Sequence, residues 1–363
     1  MIVHVTDVFA PRLGGIEIQV AGLSAAQCSA DEQVCVLTTT PDGGSGRDDF
    51  SSGYPAYRTT VGQAGRFLAH LQPQVVHVHL SVVSPLGWVA IQWALRSGVP
   101  TVATVHSLWD RPTRVAYRRL ARHGRWAHRL VVTAVSDCTR ELVDEAIPGL
   151  DAVTVANAIT LSRWRTTPRR HHNTGEVHVV AVGRLAPRRR PIALLDVLRI
   201  AERRLRPGIA LRATVAGDGP LRPAMTAYLQ LHGMTGRVHL AGSLEPAALA
   251  ALLGSADVLL NPVRREAFGI ATLEARTAGV PVIALAGTGV ADFVRHDVEG
   301  LLCASTDDLV DSLVALAENA DVRGRIAAHN HSTSPTLFDW PAVLDQFDDC
   351  YARASVLADS EHR

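Results

Sequence analysis

Two carboxylates frame a glycine turn in Glu266-Ala267-Phe268-Gly269-Ile270-Ala271-Thr272-Leu273-Glu274. Gly269 allows the turn, and a helix begins near Ile270, so the free N–H groups of its first turn attract negative charge. Glu274 lies about one turn in and leans back toward the helix start, while Glu266 stands ahead of the turn. Ionised carboxylates only accept hydrogen bonds, which suits the pair to sugar hydroxyls on either side of a diphosphate. A plainer use has Glu274 facing the helix dipole and Glu266 on the surface.

A second stretch, Val182-Gly183-Arg184-Leu185-Ala186-Pro187-Arg188-Arg189-Arg190, sets four guanidinium groups within seven residues directly after a strand. Planar forks match phosphate oxygens two at a time, so the group fits a diphosphate, although each arginine alone fits a solvated loop equally well. Gly14-Gly15-Ile16-Glu17 follows the first strand and opens a helix, a place for phosphate or for a tight turn. His106 ends the strand Pro100-Thr101-Val102-Ala103-Thr104-Val105, where a structural and a functional imidazole look alike. The dinucleotide fingerprint is missing: there is no GxGxxG, and the second strand ends in Thr38-Thr39-Thr40 with no acid for a ribose. That removes most support for a nicotinamide oxidoreductase.

The elements that must position these groups alternate along the chain. Strands are expected at 1–6, 33–39, 75–79, 100–105, 130–135 and 152–156, with amphipathic helices at 16–29, 85–97 and 137–146. The second half repeats the scheme, with strands at 177–182, 210–216, 237–241, 257–261, 281–285 and 300–303. Its helices are expected at 191–205, 220–232, 245–254, 270–279 and 306–318. Such alternation predicts α/β architecture: two doubly wound, Rossmann-like domains with ligands beyond the strand carboxyl ends, in an interdomain cleft. The expected boundaries are 1–161, an Arg-, Thr- and His-rich linker at 162–176, and 177–335. A closing helix in 336–363 carries Trp340, Val343, Phe347 and Tyr351 on one face and is expected to return to the N-terminal domain.

Composition sets outer limits. With 363 residues the chain is long enough for two domains, and a formal charge of +1 gives no bulk attraction to nucleic acid. All 36 basic residues are Arg, so lysine Schiff bases and GK[ST] phosphate loops are excluded. The five cysteines are scattered without zinc spacing, and no apolar run is long enough to cross a membrane, which together point to a reducing cytoplasm. Arg111, Arg114, Arg118, Arg122, Arg125 and Arg129 recur at a mean spacing of 3.6, one basic stripe if all are helical. Such a stripe fits a solvated face, an anionic membrane or a phosphorylated acceptor.

Taken together, PRLGGIE at 11–17, TVHS at 104–107, AVSD at 134–137, AVGRL at 181–185, VAGDGP at 215–220 and EAFGIATLEARTAGVPV at 266–282 resemble glycosyltransferase family 4. The last segment matches that family's E-x7-E motif. The resemblance implies the GT-B architecture and transfer of a hexosyl group from a nucleotide-diphosphate sugar, a UDP- or GDP-linked hexose or N-acetylhexosamine, to an acceptor hydroxyl with retention. It implies that Arg184 and Arg189 hold the donor diphosphate, Arg189 standing where the family usually has Lys. Glu274 would bind the ribose, and Glu266 with the N–H groups of Phe268, Gly269 and Ile270 would hold the donor sugar and phosphate. Gly15 would approach the phosphate or acceptor, His106 the transferred sugar, and Ser243 and Leu244 the nucleobase. Asn157-Ala158-Ile159-Thr160 and Asp292 depart from the family pattern.

No residue declares itself a nucleophile. The expected mechanism has the diphosphate leaving on the face the acceptor approaches, with guanidinium groups and a helix N-terminus stabilising the growing charge. The chain contains no D-x-D, so neither metal nor cofactor is expected. A GT-B epimerase, a phosphorylase or a non-catalytic nucleotide-sugar-binding protein shares the same residues, because fold does not fix function.

Overall fold

The computed structural model describes residues 1–42, 53–167 and 175–361. It divides into two compact units, Met1–Ile159 with Leu337–Arg363, and Thr160–Thr336. In the first unit the chain runs β1 (Ile2–Thr6), α1 (Gly15–Ser29), β2 (Val34–Thr38), β3 (Ala56–Arg58), α2 (Ala64–Leu71), β4 (Val75–Leu80), α3 (Pro85–Arg96), β5 (Thr101–Val105), α4 (Arg111–Gly124), β6 (Val131–Ala134), α5 (Asp137–Ala146) and β7 (Val153–Thr154). The second unit holds α6 (Leu161–Trp164), β8 (Glu176–Val182), α7 (Pro191–Arg204), β9 (Ala210–Ala216), α8 (Arg222–Leu231), β10 (Val238–Gly242), α9 (Pro246–Gly254), β11 (Val258–Asn261), α10 (Ile270–Thr277), β12 (Val282–Leu285), β13 (Gly300–Cys303), α11 (Thr306–Glu318) and α12 (Ala320–Ser332). A final helix, α13 (Trp340–Glu361), belongs to the first unit.

Both sheets are parallel and doubly wound, as the alternating pattern predicts. Their strand orders are β3-β2-β1-β4-β5-β6-β7 and β10-β9-β8-β11-β12-β13. The winding direction reverses between β1 and β4 in one and between β8 and β11 in the other, the places where loops splay apart and leave room for ligands. β1, β2, β4, β5 and β6 are buried along their whole length, which explains their near-continuous apolar runs. In the second unit Val179, Leu195, Val215, Val258, Ile283 and Leu313 centre the core. In the first, α13 lays Val343, Phe347, Cys350, Tyr351 and Ala354 against Ile2, Val75, Val102 and Val131 of the sheet.

Some expectations need correction. The expected linker, 162–176, begins inside a helix, α6, with Leu161 and Trp164 buried, while 168–174 lie outside the described residues. The strand expected at 152–156 shortens to Val153–Thr154, and β3, α2 and α12 are additional. The arginine stripe does not hold as one helix. α4 ends at Gly124, where Arg125 adopts φ 53°. Arg114 pairs with Glu145 at 3.0 Å, Arg118 Nε donates to the Ala146 carbonyl at 2.6 Å, and Arg129 donates to that of Leu95 at 2.6 Å. Half of the supposed docking surface is therefore engaged within its own unit. Among the described residues no helix is long and apolar enough to cross a membrane.

Candidate functional site

In the second unit the arginine loop follows the carboxyl end of β8 and the Glu266-to-Glu274 segment that of β11, neighbouring strands on either side of its reversal point, while Ser243 and Leu244 follow β10 at the sheet edge. The loop after β8 is held from the side of β9. Gly183 N–H donates to the Ala216 carbonyl and Leu185 N–H to that of Asp218, both at 2.9 Å. A Cβ at Gly217, where φ is +133°, would lie 2.1 Å from the Gly183 carbonyl oxygen, so this close backbone approach requires glycine. The segment Gly217-Asp218-Gly219-Pro220 is thus the support on which the Arg184 loop rests.

The four guanidinium groups divide in their use. Arg190 donates to the Pro262 carbonyl at 2.9 Å and to Thr306 Oγ1 at 3.2 Å, so it ties loop to loop instead of presenting its charge. Arg189 reaches the neighbouring loop and donates to Glu266 Oε2. Glu266 is almost wholly buried, while the Arg189 side chain is 42% exposed. Arg184 and Arg188 are exposed.

Gly269, at φ +96°, caps α10 without a side-chain hydrogen bond and turns the chain from the Glu266 loop into the helix. Phe268 is buried, its ring 5.2 Å from that of Phe293, and Ile270 is half-buried. The Glu266 carbonyl accepts from Gly289 N–H at 3.0 Å, which joins the turn to the loop after β12. Glu274 lies in the first turns of α10 with 8% of its surface exposed. Burial raises its pKa to about 8, against the attraction of the Arg163 guanidinium. Ser243 is exposed and Leu244 half-buried just past the end of β10.

Gly15 and His106 belong to the first unit. Gly15 opens α1 behind the extended Gly14, and the Glu17 carboxylate in that first turn pairs with Arg12 at 3.1 Å. His106 follows β5 and sits at the end of a buried row of histidines that its own sequence neighbours do not disclose. His4 Nδ1 is 3.0 Å from His79 Nε2, and His79 Nδ1 is 2.9 Å from His106 Nε2. The signal was His77-Val78-His79: strand period two puts both rings on one face, and His4 pairs with His77 across the β1–β4 register. Burial lowers the pKa of His4 to about 4 and that of His106 to about 3; it also lowers those of His77 and His79. One nitrogen from each of His4, His77 and His79 lies within 4.8 Å of the others, close enough for a metal ion. All of their ring nitrogens, however, are already in hydrogen bonds.

Comparison with known proteins gives these residues a context. Residues 13–163 match the family model described as Glycosyltransferase Family 4, and 162–331 match Glycosyl transferases group 1. The D-inositol 3-phosphate glycosyltransferase of Salinispora tropica is 30% identical over 363 residues, covering 90% of this chain and 73% of that protein. The glycogen synthase of Mycobacterium tuberculosis is 30% identical over 311 residues, with coverages of 78% and 69%. Anabaena HepE, solved in complex with UDP and glucose, shares the fold at a TM-score of 0.78 and 16% identity, over 97% of this chain and 99% of its own. Sucrose-phosphate synthase from Thermosynechococcus elongatus does so at a TM-score of 0.77 and 17% identity, over 97% of this chain and 98% of its own. With its two parallel, doubly wound sheets, the chain belongs to the GT-B glycosyltransferases of the family 4 type.

Proposed function

We propose that this glycosyltransferase moves a hexosyl group from a nucleoside-diphosphate hexose, UDP- or GDP-linked, to an acceptor hydroxyl, with retention and without a metal ion. The observation that carries the proposal is the joining of Arg189 to the buried Glu266 across the reversal point, beside the uncapped start of α10. The contact sets a guanidinium and a buried carboxylate ahead of a helix N-terminus, which supports a site for a diphosphate and the sugar it carries. HepE was solved with UDP and glucose, which supports a UDP-linked hexose as the first donor to test.

In this mechanism Arg184 and Arg189 hold the diphosphate, and the α10 N-terminus faces the charge that grows as it leaves. Glu274 takes the ribose hydroxyls and Glu266 the hexose, with the N–H groups of Phe268, Gly269 and Ile270 on phosphate. Ser243 and Leu244 border the base, Gly15 lets its loop approach phosphate or acceptor, and His106 contacts the transferred sugar. The acceptor hydroxyl arrives on the face the diphosphate leaves, and a diphosphate oxygen takes its proton. The absence of D-x-D supports cationic side chains in place of a metal. Charge-assisted hydrogen bonds are worth about 1.5–3 kcal/mol, so Arg184→Ala and Arg189→Ala should each slow turnover roughly ten- to two-hundred-fold. Near-normal steady-state rates in both variants would overturn the assignment, and an inverted anomeric centre in the product would overturn retention.

A further inference from the structure

The buried imidazoles belong to one continuous chain of hydrogen bonds. From the end of β5 it runs His106 to His79 at 2.9 Å, His79 to His4 at 3.0 Å, and His4 Nε2 to Gln27 Oε1 at 2.6 Å. It continues from Gln27 Nε2 to the Tyr351 hydroxyl at 2.9 Å, on to His77 Nδ1 at 2.9 Å, then to Thr104 and Thr133 at 2.7 Å each. His4, His77 and Thr133 are completely buried, and Thr104, Gln27 and His79 nearly so, so each link must be made inside the protein.

Gln27 gives this chain its direction, since its amide has a donor end and an acceptor end. Its oxygen accepts, so His4 carries its proton on Nε2 and presents a bare Nδ1. His79 must then donate through Nε2 and accept through Nδ1. His106 in turn donates through Nε2, which leaves its own Nδ1 without a proton. On the other side, the Gln27 N–H donates to Tyr351, Tyr351 donates to His77 Nδ1, and His77 Nε2 donates to Thr104. Apart from His106 Nδ1, every ring nitrogen in the chain is satisfied with the protons running one way, and turning the amide over would reverse every link.

We propose that Gln27, His4 and His79 are positioning residues that hold His106 as the neutral Nε2–H tautomer, so that Nδ1 stands as a hydrogen-bond acceptor at the end of β5. On the reading of His106 as the sugar contact, the partner of that acceptor is a hydroxyl of the transferred hexose. Burial supports the neutral state of all four rings.

The test is a long-range ¹H–¹⁵N correlation spectrum of the full chain labelled at histidine, with the His106 signal assigned by its loss in His106→Ala. The expected spectrum has the His106 proton on Nε2 alone. In Gln27→Met, which removes the acceptor of His4, His106 should become a mixture of tautomers, and KM for the sugar donor should rise about five-fold, the effect of one neutral hydrogen bond. Gln27→Glu keeps that acceptor and should restore the single Nε2–H signal. A proton on His106 Nδ1 in the unmodified protein, or an unmoved tautomer in Gln27→Met, would overturn the proposal. The predicted tautomers together with normal activity of His106→Ala would support the chain and refute the sugar contact, so the two can fail separately.

Discussion

Glu274→Gln is expected to make the protein more stable in mild alkali and, in the same molecule, to weaken its hold on the donor. The Glu274 carboxyl ionises near 4.5 when unfolded but only at about 8 when folded, because burial disfavours its charge more than Arg163 favours it. Between those values the unfolded chain has released the proton and the folded chain has not. Stability is therefore full below the lower value and falls as pH rises through the window, by roughly 3–5 kcal/mol at pH 8. Glutamine has no such slope. Urea unfolding should show a large gain for the variant at pH 8 and little at pH 5. Above pH 8, where the carboxyl is ionised, donor affinity should fall at least ten-fold, since an amide offers one acceptor oxygen where a carboxylate offers two. A variant that is less stable at pH 8 would contradict the burial, and one with an unchanged donor KM would contradict the role. A buried acid tolerated at this cost is the kind of conflict that functional sites retain.

The histidine row predicts the opposite slope on the acid side. Unfolded histidines take up protons near pH 6.5, whereas folded His4 and His106 do so only at about 4 and 3, and His77 and His79 well below the usual value. The unfolded state binds more protons throughout that window, so stability is full above pH 6.5 and falls as pH drops toward 4. Each histidine contributes up to about 1.4 kcal/mol per pH unit. Five of the six tryptophans, Trp88, Trp93, Trp109, Trp126 and Trp340, lie in the first unit, so intrinsic fluorescence follows its unfolding. The urea midpoint seen by fluorescence should fall steeply between pH 7 and 5. A flat midpoint would mean that the rings are not buried neutral. Glu299 does not confuse the result: burial works upward on it, but Arg295, His329 and Arg276 bring it to about 2, so its loss comes below pH 4.5.

What the sequence discloses is what is local. The strand–helix alternation, the Gly269 turn and the placement of Glu274 one turn into α10 depend on neighbours within a few residues, and all are legible. β3 has three residues on a sheet edge and α12 buries Arg323 and Asn330, so neither shows the expected apolar period. The arginine stripe fails because periodicity cannot see the left-handed turn at Arg125 that ends α4. The pairing of Arg189 with Glu266 requires β8 beside β11, strands separated by two others in the chain, and sheet order is not written in spacing. The histidine chain is less visible still, since it joins β1, α1, β4, β5 and α13 across the whole unit. Only the His77/His79 alternation hinted at it.

The central claim, a nucleoside-diphosphate sugar held by the second unit without a metal, is met most directly by thermal unfolding of the full chain with UDP, GDP, ADP, dTDP, NAD and NADP, each with and without EDTA. A ligand at about one hundred times its dissociation constant stabilises by about 2.7 kcal/mol, a clear rise in melting temperature. Such a rise is expected with UDP or GDP, unchanged by EDTA and diminished in Arg189→Ala. A rise confined to NAD or NADP, or one that EDTA abolishes and Mn²⁺ restores, would contradict it.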